Sequence, residues 1–207
     1  VDVYSLRGGL REAARELNSQ AHQSGDLEPV ILGYSLGGRL ALHALMEAGH
    51  PWRAAIIVSS HPGLTDPVER ERRLAADAEW SRRAVEEPWD VFLRAWDSQP
   101  VLGGPVSKND RSGLVARRVE VAGAFERWSL GRQEDLRERS GAIACPVLWV
   151  NGSRDERYVA LGMEACRGIP DAEHVVIDGC GHRVPWEMQD ELRRVILQFQ
   201  KRIGVLH

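Results

Sequence analysis

The sequence predicts an α/β protein, with a mostly parallel sheet flanked by helices. Three observations carry that reading. The apolar runs Val30-Ile31-Leu32, Ala54 to Val58, Pro146 to Val150 and His174 to Ile177 have the length and composition of buried strands. They alternate with stretches of helical periodicity, an order that places helices on both faces of a parallel sheet. The first run leads straight into Gly33-Tyr34-Ser35-Leu36-Gly37 and then into a helical stretch beginning at Gly38-Arg39. A serine thus sits at the tip of a sharp strand-to-helix turn.

The elements follow in order. After Val1 to Leu6 comes a helix with Leu6, Leu10, Ala13 and Leu17 on one face. Beyond the serine turn, an alanine- and leucine-rich helix runs from Leu40 to Ala48 and stops at Gly49 and Pro51. Between His61 and Ala144 the chain is dense in arginine, glutamate and tryptophan, and it reads as several helices. Most of those charges are expected on solvated faces, and Trp80, Trp89 and Trp96 are expected to pack among the helices. A closing helix starts near Trp186, with Leu192, Val195, Ile196, Phe199 and Ile203 at helical spacing. The expected division is core residues 1–60, a helical cap over 61–144, and core residues 145–207.

Composition narrows the function classes. A chain of 207 residues suffices for one domain with a substantial core. A net charge of -3 argues against a general nucleic-acid binder. No apolar stretch approaches the length of a membrane span. Cys145, Cys166 and Cys180 are odd in number and lack metal-ligand spacing, which points to a reduced, cytoplasmic setting. No cofactor and no metal are expected.

The strand, Gly-x-Ser-x-Gly, helix order is the nucleophile elbow of α/β-hydrolase-fold proteins. Small residues two before and two after the serine, Gly33 and Gly37, are expected to let strand and helix approach. Catalytic groups in open parallel sheets gather at the carboxyl ends of strands. Asp155 follows the third strand and His182 the fourth, in the chain order that a triad on this fold requires. His182 is then the base toward Ser35, and Asp155 fixes its tautomer. Asp178 is read as a turn residue, and Glu156 as pointing elsewhere on its loop. His22, His43, His50, His174 and His207 are expected at the surface or in packing; His61 begins a loop beside the site. A complete fold of this kind has strands before the elbow, and a loop there supplies one oxyanion donor. The expectation is an N-terminal truncation, or a segment supplied elsewhere.

A narrower resemblance emerges from the longer motifs. Gly33 to Leu42, Ser60-His61-Pro62-Gly63-Leu64, the run Arg70, Arg72, Arg73 with Asp77 and Trp80, and Phe92 to Pro100 together resemble the 2-succinyl-6-hydroxy-2,4-cyclohexadiene-1-carboxylate (SHCHC) synthase family of menaquinone biosynthesis. Gly152 to Tyr158 and Cys180-Gly181-His182 complete the likeness, which runs over nearly the whole chain. It implies a cofactor-free lyase that eliminates pyruvate from a small polycarboxylate, with Ser35 as a base activated by His182. It also implies carboxylate clamps at Arg39, Arg73 and Arg118, a pocket lined by Tyr34 and Trp96, and an oxyanion donor at the Leu36 N–H. The chain departs from the family pattern at Glu120, Val121 and Pro185. The same triad serves a serine hydrolase acting on a small carboxylated ester or carbon–carbon bond, and a non-catalytic binding protein on this fold is the remaining alternative.

Overall fold

The computed structural model describes residues 1–103 and 111–205. Four parallel strands lie in the order β1 (Val30–Tyr34), β2 (Ala54–Val58), β3 (Val147–Gly152) and β4 (Ala172–Ile177). The register pairs Tyr34 with Val58, Val58 with Val150, and Gly152 with Ile177. All four strands therefore end along one edge of the sheet. β3 runs two residues further than the apolar run alone indicates, because Asn151 and Gly152 stay in register with Val176 and Ile177.

Helix α1 (Leu10–Ser24) precedes β1, and α2 (Leu36–Leu45) connects β1 to β2. Between β2 and β3 lie α3 (Pro67–Glu86), α4 (Trp89–Asp97) and α5 (Arg118–Arg127), with short 3-10 turns around them. Helix α6 (Glu156–Gly168) joins β3 to β4, and α7 (Val184–Glu187) and α8 (Gln189–Arg202) close the chain. Local chemistry sets several ends. Glu12 accepts the Gly9 N–H at the start of α1, and Gly25 ends that helix in the left-handed region. Asp66 caps α3 by accepting the Val68 N–H, ahead of Pro67 in the first turn.

The two central strands are buried throughout, which is why they read as unbroken apolar runs. Their side chains still divide by parity. Ala55, Ile57, Val147 and Trp149 pack with Ala14 of α1, Ala41 of α2 and Ala165 of α6. Ala54, Ile56, Val58, Leu148 and Val150 pack with Leu192, Val195 and Phe199 of α8. Both faces of the sheet are thus covered. Among the described residues, no helix is long and apolar enough to cross a membrane.

The serine turn is tighter than the sequence pattern suggests. Helix α2 starts at Leu36, immediately after Ser35, and ends at Leu45, so the expected span Leu40 to Ala48 is shifted toward the N-terminus. A Cβ on Gly33 would stand 2.5 Å from the Gly38 nitrogen, and one on Gly38 would stand 2.7 Å from Ser60 Cβ. A Cβ on Gly37 would meet nothing within 4 Å. The second residue that must be small is therefore Gly38, three positions after the serine, not Gly37. Overpacking of this kind costs about 1–3 kcal/mol or more. Gly33→Ala and Gly38→Ala should lower the urea unfolding midpoint by that much or abolish folding, whereas Gly37→Ala should change stability by less than about 1 kcal/mol. Equal effects at all three positions would contradict this account of the turn.

Candidate active site

Ser35 occupies φ 49°, ψ -110°, a conformation that a non-glycine residue holds only when its surroundings impose it. Three backbone contacts impose it here. The Ser35 N–H donates to the Val58 carbonyl at 2.8 Å, and the Ser35 carbonyl accepts from the Arg39 N–H at 3.1 Å and from Ser60 Oγ at 3.0 Å. Ser35 Oγ lies 3.1 Å from His182 Nε2, and His182 Nδ1 lies 2.7 Å from Asp155 Oδ2. With the Nδ1 proton directed at a carboxylate, Nε2 is left to accept from the serine hydroxyl. Leu36 opens α2, where the first N–H groups have no partner within the helix.

The histidine loop has its own brace. Glu187, at the end of α7, accepts the Gly181 N–H at 3.0 Å and the Arg183 N–H at 3.3 Å, one on each side of His182. Tyr158 stands edge-on to the imidazole, with ring centroids 4.5 Å apart. Asp178 accepts from Ser153 Oγ and so acts as a turn residue, and Glu156 is exposed. His207 lies outside the described residues.

Ser35 and His182 open onto a cavity of about 360 Å³, large enough for a small-molecule ligand. Tyr34, Leu36, Arg39, Arg73 and Trp96 all line it. Arg39 is buried, and its guanidinium donates to Gln133 Oε1 at 3.1 Å and to the Trp128 carbonyl at 2.8 Å. Among the described residues no carboxylate forms an ion pair with it, and burial pushes its pKa down to about 10, so it remains a cation at neutral pH. Arg73 is partly exposed and paired with the buried Asp77 at 2.8 Å. Trp96 packs edge-on to Trp80 and Phe125 while facing the cavity.

Arg118 does not reach the cavity. Its guanidinium donates to the carbonyls of Ala84 at 2.8 Å and Glu87 at 2.5 Å, capping the last turn of α3, and it lies near the ring of Trp89. The expected clamp is instead a tie between α5 and α3. Unsatisfied carbonyls at a helix C-terminus attract a cation, and here they have captured this one.

Several lining residues escaped the sequence reading. Arg111 and Arg183 line the cavity and share the carboxylate of Asp97. Burial opposes ionisation of Asp97, but hydrogen bonds from the two guanidinium groups outweigh it and hold the carboxyl below its ordinary range. Gln133, fully buried, links Arg39 to the His61 carbonyl. Trp186 lies edge-on to Tyr34 in the cavity wall. Of these, only the position of Arg183 directly after His182 offered a signal.

His61 also lines the cavity, buried and with Nδ1 accepting the Gly63 N–H at 3.0 Å. Burial, reinforced by the charges of Arg157 and Arg39, pushes its pKa down to about 3. Burial likewise pushes His43, on the buried face of α2, down to about 4.

With this geometry in place, comparison with known proteins is decisive. Residues 2–195 match the model of the Alpha/beta hydrolase family. A 2-succinyl-6-hydroxy-2,4-cyclohexadiene-1-carboxylate synthase from Salmonella newport is 33% identical over 176 residues, covering 81% of this chain and 69% of the relative. The chain belongs to the SHCHC synthase family of alpha/beta hydrolases. A synthase of the same name from Pectobacterium atrosepticum is 32% identical over 165 residues, covering 77% of this chain. The chain spans 64% of the length of that SHCHC synthase relative. Among solved structures, MenH from S. aureus superposes with a TM-score of 0.85 at 22% identity, covering 95% of this chain and 76% of that one. A thermophilic esterase from Thermogutta terrifontis superposes at 0.73 with 20% identity, covering 94% and 73% respectively. At these identities the two structures bear on the fold alone.

Two outcomes follow for this SHCHC synthase family member. His43 and His61 are neutral when folded but titrate near 6.5 when unfolded. Below that pH the unfolded chain binds more protons, so stability is complete above pH 6.5 and falls as pH drops toward the folded values. By pH 5 the loss amounts to about 2 kcal/mol per histidine. Urea midpoints at pH 7.5 and 5.0 should show the drop, with a smaller drop in His61→Asn; a flat profile would refute the burial of neutral imidazoles. Arg118→Ala should cost about 1.5–3 kcal/mol of stability through the lost α3 cap, leaving KM unchanged. A large rise in KM at native stability would return Arg118 to the cavity.

Proposed function

We propose that the protein eliminates pyruvate from 2-succinyl-5-enolpyruvyl-6-hydroxy-3-cyclohexene-1-carboxylate to give SHCHC, using Ser35, His182 and Asp155 as a base relay. One observation supports this reading above the rest. A serine–histidine–aspartate chain opens onto a cavity beside Arg39, a buried guanidinium whose partners among the described residues are neutral groups. A desolvated cation of this kind calls for an anionic ligand. The relatives' name denotes a carboxylate product, and a polycarboxylate substrate supplies the missing negative charge.

His182 Nε2 takes the hydroxyl proton of Ser35, and Ser35 Oγ takes the proton from the ring carbon beside the succinyl carbonyl. The electron pair moves onto the carbonyl oxygen, where the Leu36 N–H at the start of α2 stabilises the developing charge. Its return through the ring breaks the carbon–oxygen bond to the enolpyruvyl group. That group leaves as the enolate of pyruvate and takes up a proton on carbon. Asp155 stabilises the imidazolium throughout. Arg39 and Arg73 hold substrate carboxylates, and Tyr34 and Trp96 wall the ring. The helical segment 61–144 serves as the cap that excludes water.

The test is pyruvate release from freshly generated enolpyruvyl substrate by the protein made from its full natural reading frame. Ser35→Ala should lower the rate about 10³-fold or more at native stability. Arg39→Lys retains the charge but loses the planar fork, and it should lower kcat/KM by about 10-fold or more. No pyruvate release together with rapid turnover of nitrophenyl esters would make the protein a serine hydrolase.

A further inference from the structure

We propose that Asp77 is a positioning residue for ligand binding: it holds the Arg73 guanidinium by one edge and leaves the other edge for a ligand carboxylate. The inference rests on the polycarboxylate reading above, in which Arg73 receives such a group, and it adds what aims that arginine. Arg73 and Asp77 lie one turn apart on α3, and both line the cavity. Arg73 Nε donates to Asp77 Oδ2 at 2.8 Å. The same oxygen accepts from Ser129 Oγ at 2.7 Å, and Ser129 Oγ in turn accepts the Gly131 N–H at 3.1 Å. Ser129 caps the 3-10 turn Leu130–Arg132, which follows α5. Asp77 is therefore fixed from two separate parts of the segment between β2 and β3.

Burial separates this pair from a neighbouring one on the same helix. Arg82 and Glu86 are also four residues apart, yet both side chains are more than half exposed. The Asp77 side chain is 3% exposed and that of Arg73 38%. Withdrawing a carboxylate from water is costly, and an exposed pair supports a helix without that penalty. At a cavity wall the arrangement has a use. An unpaired carboxylate there would repel an anionic ligand, and the Arg73 charge offsets it. A guanidinium grips a carboxylate either through Nε and one Nη, or end-on through both Nη groups. Asp77 occupies Nε, so the end-on fork is the one left. Among the described residues neither Nη of Arg73 has a hydrogen-bond partner. Arg39 lies close enough for the Arg73 charge to act on it, so the two guanidinium groups serve one region of the cavity.

Carboxylate binding tests this without requiring turnover. Trp96 and Trp186 line the cavity, so quenching of tryptophan fluorescence reports occupancy by tricarballylate, a simple tricarboxylate. Asp77→Asn and Arg73→Gln should each raise its Kd about tenfold, and the double variant should stay within about twofold of either one. A merely structural Asp77 would weaken binding equally with and without Arg73, so multiplied effects in the double variant would overturn the proposal. An unchanged Kd in Asp77→Asn with a native melting curve would do the same. So would tighter binding, the result of removing a repelling charge alone. An Arg73→Gln variant that binds normally, or no binding by the unaltered protein, also overturns it. Should Asp77→Asn fail to fold, Ser129→Ala takes its place by withdrawing one hydrogen bond from Asp77 Oδ2. It should raise the Kd about threefold when Arg73 is present and leave it unchanged in Arg73→Gln; equal effects in both would count against Asp77. Coupling between Asp77 and Arg73 without pyruvate release removes the lyase reading and leaves this one standing. Pyruvate release without the coupling removes this one alone.

Discussion

Everything at the mouth of the cavity depends on a reversal made at one residue. β1 ends at Tyr34 and α2 begins at Leu36, so Ser35 alone turns the chain. The turn is held by its backbone contacts to the Val58 carbonyl and Ser60 Oγ, both at the end of the neighbouring strand. The conformation is unfavourable in isolation, and the packed sheet supplies the compensation. Because the same contacts fix β1 against β2, the serine hydroxyl is as rigidly placed as the centre of the sheet. Sites built on such elements keep their geometry better than sites built on loops.

Charge is distributed against the overall composition. The chain is slightly acidic as a whole, at -3, yet the described cavity lining carries four guanidinium groups and one carboxylate. Several arginines outside the cavity are tied to neighbours along their own helix, as in Arg82 with Glu79 and Arg94 with Asp90. Those pairs contribute little and are screened by salt. The cavity cations sit in lower dielectric, where each acts more strongly on an entering anion.

Much of this was legible in the residues, and the limits have physical causes. The two central strands could be read because burial on both faces leaves them apolar without interruption, and the edge strands β1 and β4 because they keep short apolar runs. Ser35, Asp155 and His182 could be placed near one another because each follows the carboxyl end of a strand, and parallel strands end together. The start of α2 could not be read: local helix preference says nothing about a turn enforced by Val58 of β2 and Ser60 just beyond it. Gly37 stood out by spacing, but only the close approach of Ser60 reveals that Gly38 is the constrained position. Arg118 looked like a clamp because sequence cannot show that the Ala84 and Glu87 carbonyls wait beside it. Asp97 was invisible for the opposite reason, since its partner Arg183 lies 86 residues away.

The separation along the chain has a kinetic consequence. Ser35 and His182 are 147 residues apart, and the helical segment between β2 and β3 intervenes. Loop closure over such distances is entropically unfavourable until many other contacts are in place. Helices α3 to α5 can form from local contacts, and β1 to β2 needs only a short crossover. The docking of β3 and β4 onto that first pair closes a longer loop. The hydrogen bond between serine and histidine therefore closes one of the long loops of the fold. A chain that has formed helices α3 to α5 alone still lacks the contact between Ser35 and His182.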